Sequence, residues 1–111
     1  MRPLQLRKLV LAALEDAKAR DVVVLDMRKV AIFTDYMIIV TGTSSRHVMA
    51  VADNVIEKLR EATRRPLGVE GMEGGDWVLL DYGDVVAHIM RAQTRAFYNL
   101  EKLWSEAKRV K

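Results

Sequence analysis

Histidine, cysteine and paired carboxylates build most catalytic and metal centres, and this chain of 111 residues is poor in them. It has no cysteine, which excludes disulfide scaffolds, thiolate zinc sites and thiol catalysis. Its two histidines are His47 at a predicted helix start and His88 in a predicted strand. Their spacing from the Asp residues is not that of a metal site, and His47 is expected to be a solvated first-turn residue. We therefore expect no metal and no cofactor.

The run Gly42-Thr43-Ser44-Ser45 lies between a predicted strand and a predicted helix, where phosphate-binding turns occur. It is not a P-loop, because no Gly-Lys-Ser/Thr follows it. A nucleotidyltransferase has a similar Gly-Ser turn, but its Mg²⁺ chemistry needs two carboxylates two residues apart on a strand. The downstream Asp53 has no such partner. Helix capping by Ser44 or Ser45 explains the serines better than nucleophilic catalysis, so we predict that the protein is not an enzyme.

The apolar residues have the spacings of alternating helices and strands. Apolar positions three and four apart predict helices near residues 6–17 and 48–59, whereas short β-branched runs predict strands. A last helix is expected to direct Phe97, Leu100 and Trp104 inward. The order α-β-β-α-β-β-β-α predicts an α/β fold with a single mixed sheet of about five strands covered by helices. The strands are expected at 22–25, 36–40, 67–69, 77–80 and 85–90.

The length fits one domain, residues 1–111, and the charge is unevenly distributed along it. No apolar run approaches the roughly 20 residues needed to cross a bilayer and no secretory signal is recognisable, so we expect a soluble cytoplasmic domain. The net charge of +3 could suggest nucleic acid, yet the basic residues are scattered without interleaved aromatic residues. Between Pro66 and Met90 there is no Lys or Arg, only the acids Glu70, Glu73, Asp76, Asp81 and Asp84.

The runs on either side of Tyr82-Gly83-Asp84 predict a β-hairpin with two unlike faces. With a loop at Tyr82-Gly83 or at Gly83-Asp84, odd positions of the first strand share a face with even positions of the second. One face is then wholly apolar and should pack on the helices. The other is apolar in the middle and acidic near the turn, and it carries Trp77, Leu79, Asp81, Asp84, Val86, His88 and Met90. A three-residue loop would exchange the faces.

Two interpretations of this second face stay open. It could be a second core face under the last helix, with His88 and Asp81 at its solvent-exposed edge. It could instead be a partner-binding face, because Trp and Met are enriched at interfaces. Asp81 and Asp84 flank the turn, where like charges repel, and a basic partner would relieve that repulsion. We therefore favour the partner-binding interpretation.

Several motifs occur together, in order, over nearly the whole chain. They are Thr34-Asp35-Tyr36, Thr41–Val48, Leu67–Gly71, Asp76-Trp77, Leu80–His88 and Arg95–Trp104. The set resembles the ribosomal silencing factor S family, also called Iojap. The resemblance implies a non-catalytic factor with a fold like that of nucleotidyltransferases but without their catalytic carboxylates.

The resemblance also implies partners. Members of this family bind the large ribosomal subunit through its ribosomal protein fourteen and block joining of the small subunit, which represses translation. Organelle relatives take part in subunit assembly, and homodimers occur. Direct contact with ribosomal RNA is expected only at the periphery of the larger assembly. A membrane partner is not expected. The alternatives are a nucleotide-binding enzyme of the nucleotidyltransferase type and a direct ribosomal RNA binder.

The family's binding surface can be carried over onto individual residues of this sequence. It falls on Trp77, Leu79, Asp81, Val86, His88 and Met90, the same face that strand alternation selects. Glu70 and Asp84 are added as acids that would face a basic protein, and Tyr98 and Glu101 are further candidates.

Overall fold

The computed structural model describes all 111 residues as one open, mixed sheet with helices on both sides. The strand order is β3-β4-β5-β2-β1-β6, in which β2 and β5 pair in parallel and the other neighbours are antiparallel. No helix is long and apolar enough to span a membrane. The elements are α1 (Pro3–Asp16), β1 (Arg20–Asp26), β2 (Tyr36–Gly42), α2 (Ser45–Glu61), β3 (Gly68–Glu70), β4 (Trp77–Asp81), β5 (Val85–Arg91), α3 (Ala92–Tyr98), α4 (Leu100–Leu103) and β6 (Lys108–Arg109).

The helices α1 and α2 cover one face of the sheet and form the main core with it. In α2 the Ser44 hydroxyl accepts a hydrogen bond from the backbone N–H of His47 at 3.0 Å, which confirms Ser44 as the N-cap. The apolar stripe of α2, from Val48 to Leu59, is buried against the sheet. Val78 and Leu80 of β4 lie in the same core, as predicted for the apolar face of the hairpin.

The hairpin register confirms the predicted division of faces. Tyr82 donates its backbone N–H to the carbonyl oxygen of Val85 at 2.9 Å, so the loop is Gly83-Asp84. Gly83 has φ 83°, a conformation that glycine adopts readily and that suits a two-residue hairpin. Trp77 lies opposite Met90, Leu79 opposite His88 and Asp81 opposite Val86. Those six side chains therefore share the second face of the sheet.

Two features at the C-terminal end of the chain differ from the prediction. The sheet has six strands rather than about five, because Lys108 and Arg109 pair with β1 as a two-residue edge strand. The last helix is broken at Asn99, whose φ of 45° lies in the left-handed region. Leu100 and Trp104 pack inward as predicted, but Phe97 is 80% exposed because it precedes the break.

Candidate docking surface

The second face of the sheet is divided into two halves. A cluster of apolar residues on β1, β2 and β5 is covered by Leu100 and Trp104 and by the loop around Val30. We call this the covered half, and its members are Val23, Leu25, Met37, Ile39 and Met90. Toward the β3 edge the cover ends, and the side chains there are half-buried or exposed. We call this the open half, and its members are Glu70, Trp77, Leu79 and Asp81.

Trp77 is the largest side chain of the open half, and its indole ring is held in place from two directions. Its Nε1–H donates to His88 Nδ1 at 2.9 Å. The Tyr98 ring packs against it, with the ring centroids 4.8 Å apart. Tyr98 is exposed and forms an edge-to-face pair with Phe97. The three aromatic rings form a row in which Phe97 and Tyr98 are exposed and Trp77 is partly buried.

His88, on the neighbouring strand β5, accepts the hydrogen bond from Trp77. The side chain is buried, and this burial lowers its pKa from 6.5 to about 4, so the ring is neutral near pH 7. Because Nδ1 accepts the hydrogen bond from Trp77, the proton of the neutral ring is on Nε2. A neutral imidazole with a defined tautomer therefore helps to fix the Trp77 side chain of the open half.

Three of the predicted site residues have little or no exposed surface. Met90 is fully buried, and Val86 and His88 are 7% and 5% exposed. Their side chains can shape the surface but offer little area to a partner. On this face β5 therefore belongs to a second core, as the first interpretation predicts, whereas the side chains of β4 are only partly buried.

The acids predicted to face a partner differ in how far they are already engaged. Asp81 Oδ1 accepts a hydrogen bond from the Gly83 backbone N–H at 2.8 Å and so stabilises the turn. Glu70 and Asp84 are exposed and take part in none of the five ion pairs of the chain. Their carboxylates are free to meet external cations.

Glu101 is bound within the molecule by Arg95. The guanidinium of Arg95 reaches Glu101 through two hydrogen bonds of 3.3 and 3.2 Å. It also donates to the Asp21 carbonyl oxygen at 2.7 Å and to the Thr41 hydroxyl at 2.9 Å. Arg95 therefore ties α3 and α4 to β1 and β2. Nothing in the local sequence around Arg95 indicates this role, because two of its three partners, Asp21 and Thr41, come from distant strands.

Two of the residues considered for catalysis or metal binding, Ser44 and His47, have structural partners. No group of three or more His, Asp or Glu side chains is arranged to hold a metal ion. His47, expected to be solvated, accepts the Thr43 backbone N–H at its Nδ1 at 2.9 Å, and its Nε2 lies 2.9 Å from the carbonyl oxygen of Ala17. This ring joins the start of α2 to the end of α1.

Comparison with known proteins gives one consistent family. Residues 2–111 match the family described as "Ribosomal silencing factor during starvation". A protein of Chromobacterium violaceum named ribosomal silencing factor RsfS is 44% identical over 94% of this chain and 85% of its own length. The mouse protein named mitochondrial assembly of ribosomal large subunit protein 1 is 33% identical over 87% of this chain and 44% of its own.

A solved structure has the same fold. The crystal structure of a Chromobacterium violaceum protein superposes with a TM-score of 0.92, at 44% identity, and the match covers 95% of this chain and 88% of the other. Sequence and fold thus lead to the same group of proteins.

Proposed function

The chain belongs to the ribosomal silencing factor family, and on that basis we propose that it represses translation by binding the large ribosomal subunit and blocking the small one from joining. The family is one of regulators rather than known enzymes. The name of the mouse relative, an assembly protein of the large mitochondrial subunit, supports the large subunit as the partner.

The proposed contact is between the open half and a basic protein of that subunit, its ribosomal protein fourteen. The observation that carries this proposal is the half-buried Trp77, which is fixed by His88 and Tyr98 and belongs to a stretch of sequence without Lys or Arg. Preorganised aromatic residues are typical anchors of interfaces, and free carboxylates such as those of Glu70 and Asp84 favour association with a basic surface. The buried Val86, His88 and Met90 would act by holding β4 in place.

The family resemblance also supports a homodimer of the free protein. If two copies meet through the open half, the dimer and the ribosome complex exclude each other. Sedimentation equilibrium of the free protein and of a Leu79→Asp variant would measure this, since a charge in the contact should shift the protein to monomer.

Truncation of Trp77 tests the docking surface. Trp77→Ala should weaken binding to purified large subunits by about 2 kcal/mol, or roughly thirtyfold, because it removes the anchor. Leu79→Ala, which removes less buried surface, should weaken binding to a smaller extent. Leu103→Ala is the control, since Leu103 is 68% exposed on α4 and lies outside the open half.

Thermal unfolding of each variant must show a folded protein at the temperature of the binding measurement. If folded Trp77→Ala and Leu79→Ala bind as tightly as Leu103→Ala, the open half is not the docking surface.

A further inference from the structure

The β3 edge strand forms one wall of a small recess beside Trp77. Glu70 lies opposite Leu79 in the ladder between β3 and β4, so both side chains project from the same face of the sheet as Trp77. These three residues and Gly71 bound a recess of about 330 Å³. Gly71 has φ 88°, and a Cβ at this position would collide with the Trp77 carbonyl oxygen. Position 71 therefore has to stay without a side chain.

We propose that this recess binds one long cationic side chain, a lysine or an arginine, of the protein partner. This inference rests on the proposed function, because it assumes that a basic protein docks on the open half. The aliphatic stem would lie along Trp77 and Leu79, and the cationic group would meet the Glu70 carboxylate.

The lining has the two components that such a side chain requires. Lys and Arg side chains pack their methylene stems on apolar surface while the charged group stays at the wet end. Trp77 and Leu79 supply the apolar surface, and an indole ring also attracts a cation. Glu70 supplies the opposite charge at the exposed margin.

No cationic side chain of the chain lines the recess, which is bounded by Glu70, Gly71, Trp77 and Leu79. Glu70 is in no ion pair, and the guanidinium of Arg91 is already paired with Asp76 at 3.2 Å. The hydrogen bond from Trp77 to His88 fixes the indole before a partner arrives. A recess that is already formed loses little conformational entropy on binding.

Titration of purified large subunits with four variants tests the subsite: Glu70→Gln, Glu73→Gln, Trp77→Ala and the double variant Glu70→Gln/Trp77→Ala. Glu73 is the matched control, because it is an exposed acid three residues from Glu70 that does not line the recess. Glu70→Gln keeps the shape of the side chain and removes its charge, and it should weaken binding roughly three- to fivefold, because an exposed ion pair contributes up to about 1 kcal/mol. Glu73→Gln should change binding by less than about twofold, since only screened long-range attraction is lost.

The double variant distinguishes a shared ligand from two separate contacts. If Glu70 and Trp77 hold the same side chain, the double variant should bind about as weakly as Trp77→Ala alone. If the two losses multiply, or if Glu70→Gln behaves like Glu73→Gln while Trp77→Ala weakens binding, the subsite is refuted and the docking surface stands. If Trp77→Ala itself binds normally, the proposed docking surface fails first.

Discussion

The open and covered halves lie on one face of one sheet, and they differ both in composition and in what lies above them. Ile39 and Met90 in the covered half are fully buried under Leu100 and Trp104. Leu79, in the same row of the sheet as Ile39, has no such cover and is half-buried. The difference comes from the chain after Asn99, which crosses β1, β2 and β5 but does not reach the β3 edge. Apolar residues therefore stabilise the fold in one half and remain available to a partner in the other.

The largest effect is expected from truncating Ile39, compared with the same truncation of Leu79. Ile39→Ala leaves a cavity in the covered half and should lower the free energy of unfolding by about 4 kcal/mol. Leu79→Ala should lower it by about 1 kcal/mol, because that side chain is only partly buried. Urea denaturation measures both changes. Equal losses of stability would mean that the side chains of Ile39 and Leu79 do not differ in burial.

Measuring the free energy of unfolding as a function of pH tests whether His88, which accepts the hydrogen bond from Trp77, is buried and neutral. The pKa of His88 is about 4 in the folded protein and 6.5 when exposed, so the unfolded chain takes up the proton first as pH falls. The stability that neutral His88 contributes is complete above pH 6.5 and is lost between pH 6.5 and about 4, a change of about 3 kcal/mol. His88→Gln has no such group, and its unfolding free energy should fall less over this range. A wild-type profile parallel to that of the variant would contradict the burial of His88.

A charge reversal at Asp84 should have the smallest effect. Asp84→Lys should weaken binding to large subunits several-fold at low salt and much less at high salt, because the attraction is between exposed charges. Asp53→Lys is the control, since Asp53 is an exposed acid on α2, on the other side of the sheet. Asp81 is unsuitable for this test because its carboxylate also holds the turn at Gly83. Similar salt dependence for both variants would remove the electrostatic part of the proposal.

Features set by local periodicity were predictable from the sequence. The alternation around Gly83 predicted the correct division of faces, and the run before Val48 narrowed the N-cap of α2 to Ser44 or Ser45. The boundary between the two halves was not predictable, because it depends on a single left-handed residue, Asn99, and on where the chain lies afterwards. The same break leaves Phe97 in solvent, although its spacing from Leu100 predicts an inward position.

Long-range pairings were the other feature that the sequence did not reveal. The sequence suggests that Glu101 is an unpaired surface acid, yet Arg95 binds it together with groups from β1 and β2. Lys108 and Arg109 have the composition of a solvated tail, yet they pair with β1. The contacts of Arg95 with β1 and β2 and the pairing of β6 with β1 join residues far apart in the chain, and no local pattern encodes them.

Joining of ribosomal subunits is the most direct test of the proposed function. Purified small and large subunits are mixed with increasing protein and separated by sedimentation, and the fraction of joined ribosomes is measured. The wild-type protein should lower that fraction in a concentration-dependent way, folded Trp77→Ala should need roughly thirtyfold more protein for the same effect, and Leu103→Ala should match the wild type. Joined ribosomes that persist at saturating wild-type protein, or that disappear equally with Trp77→Ala, would contradict the account.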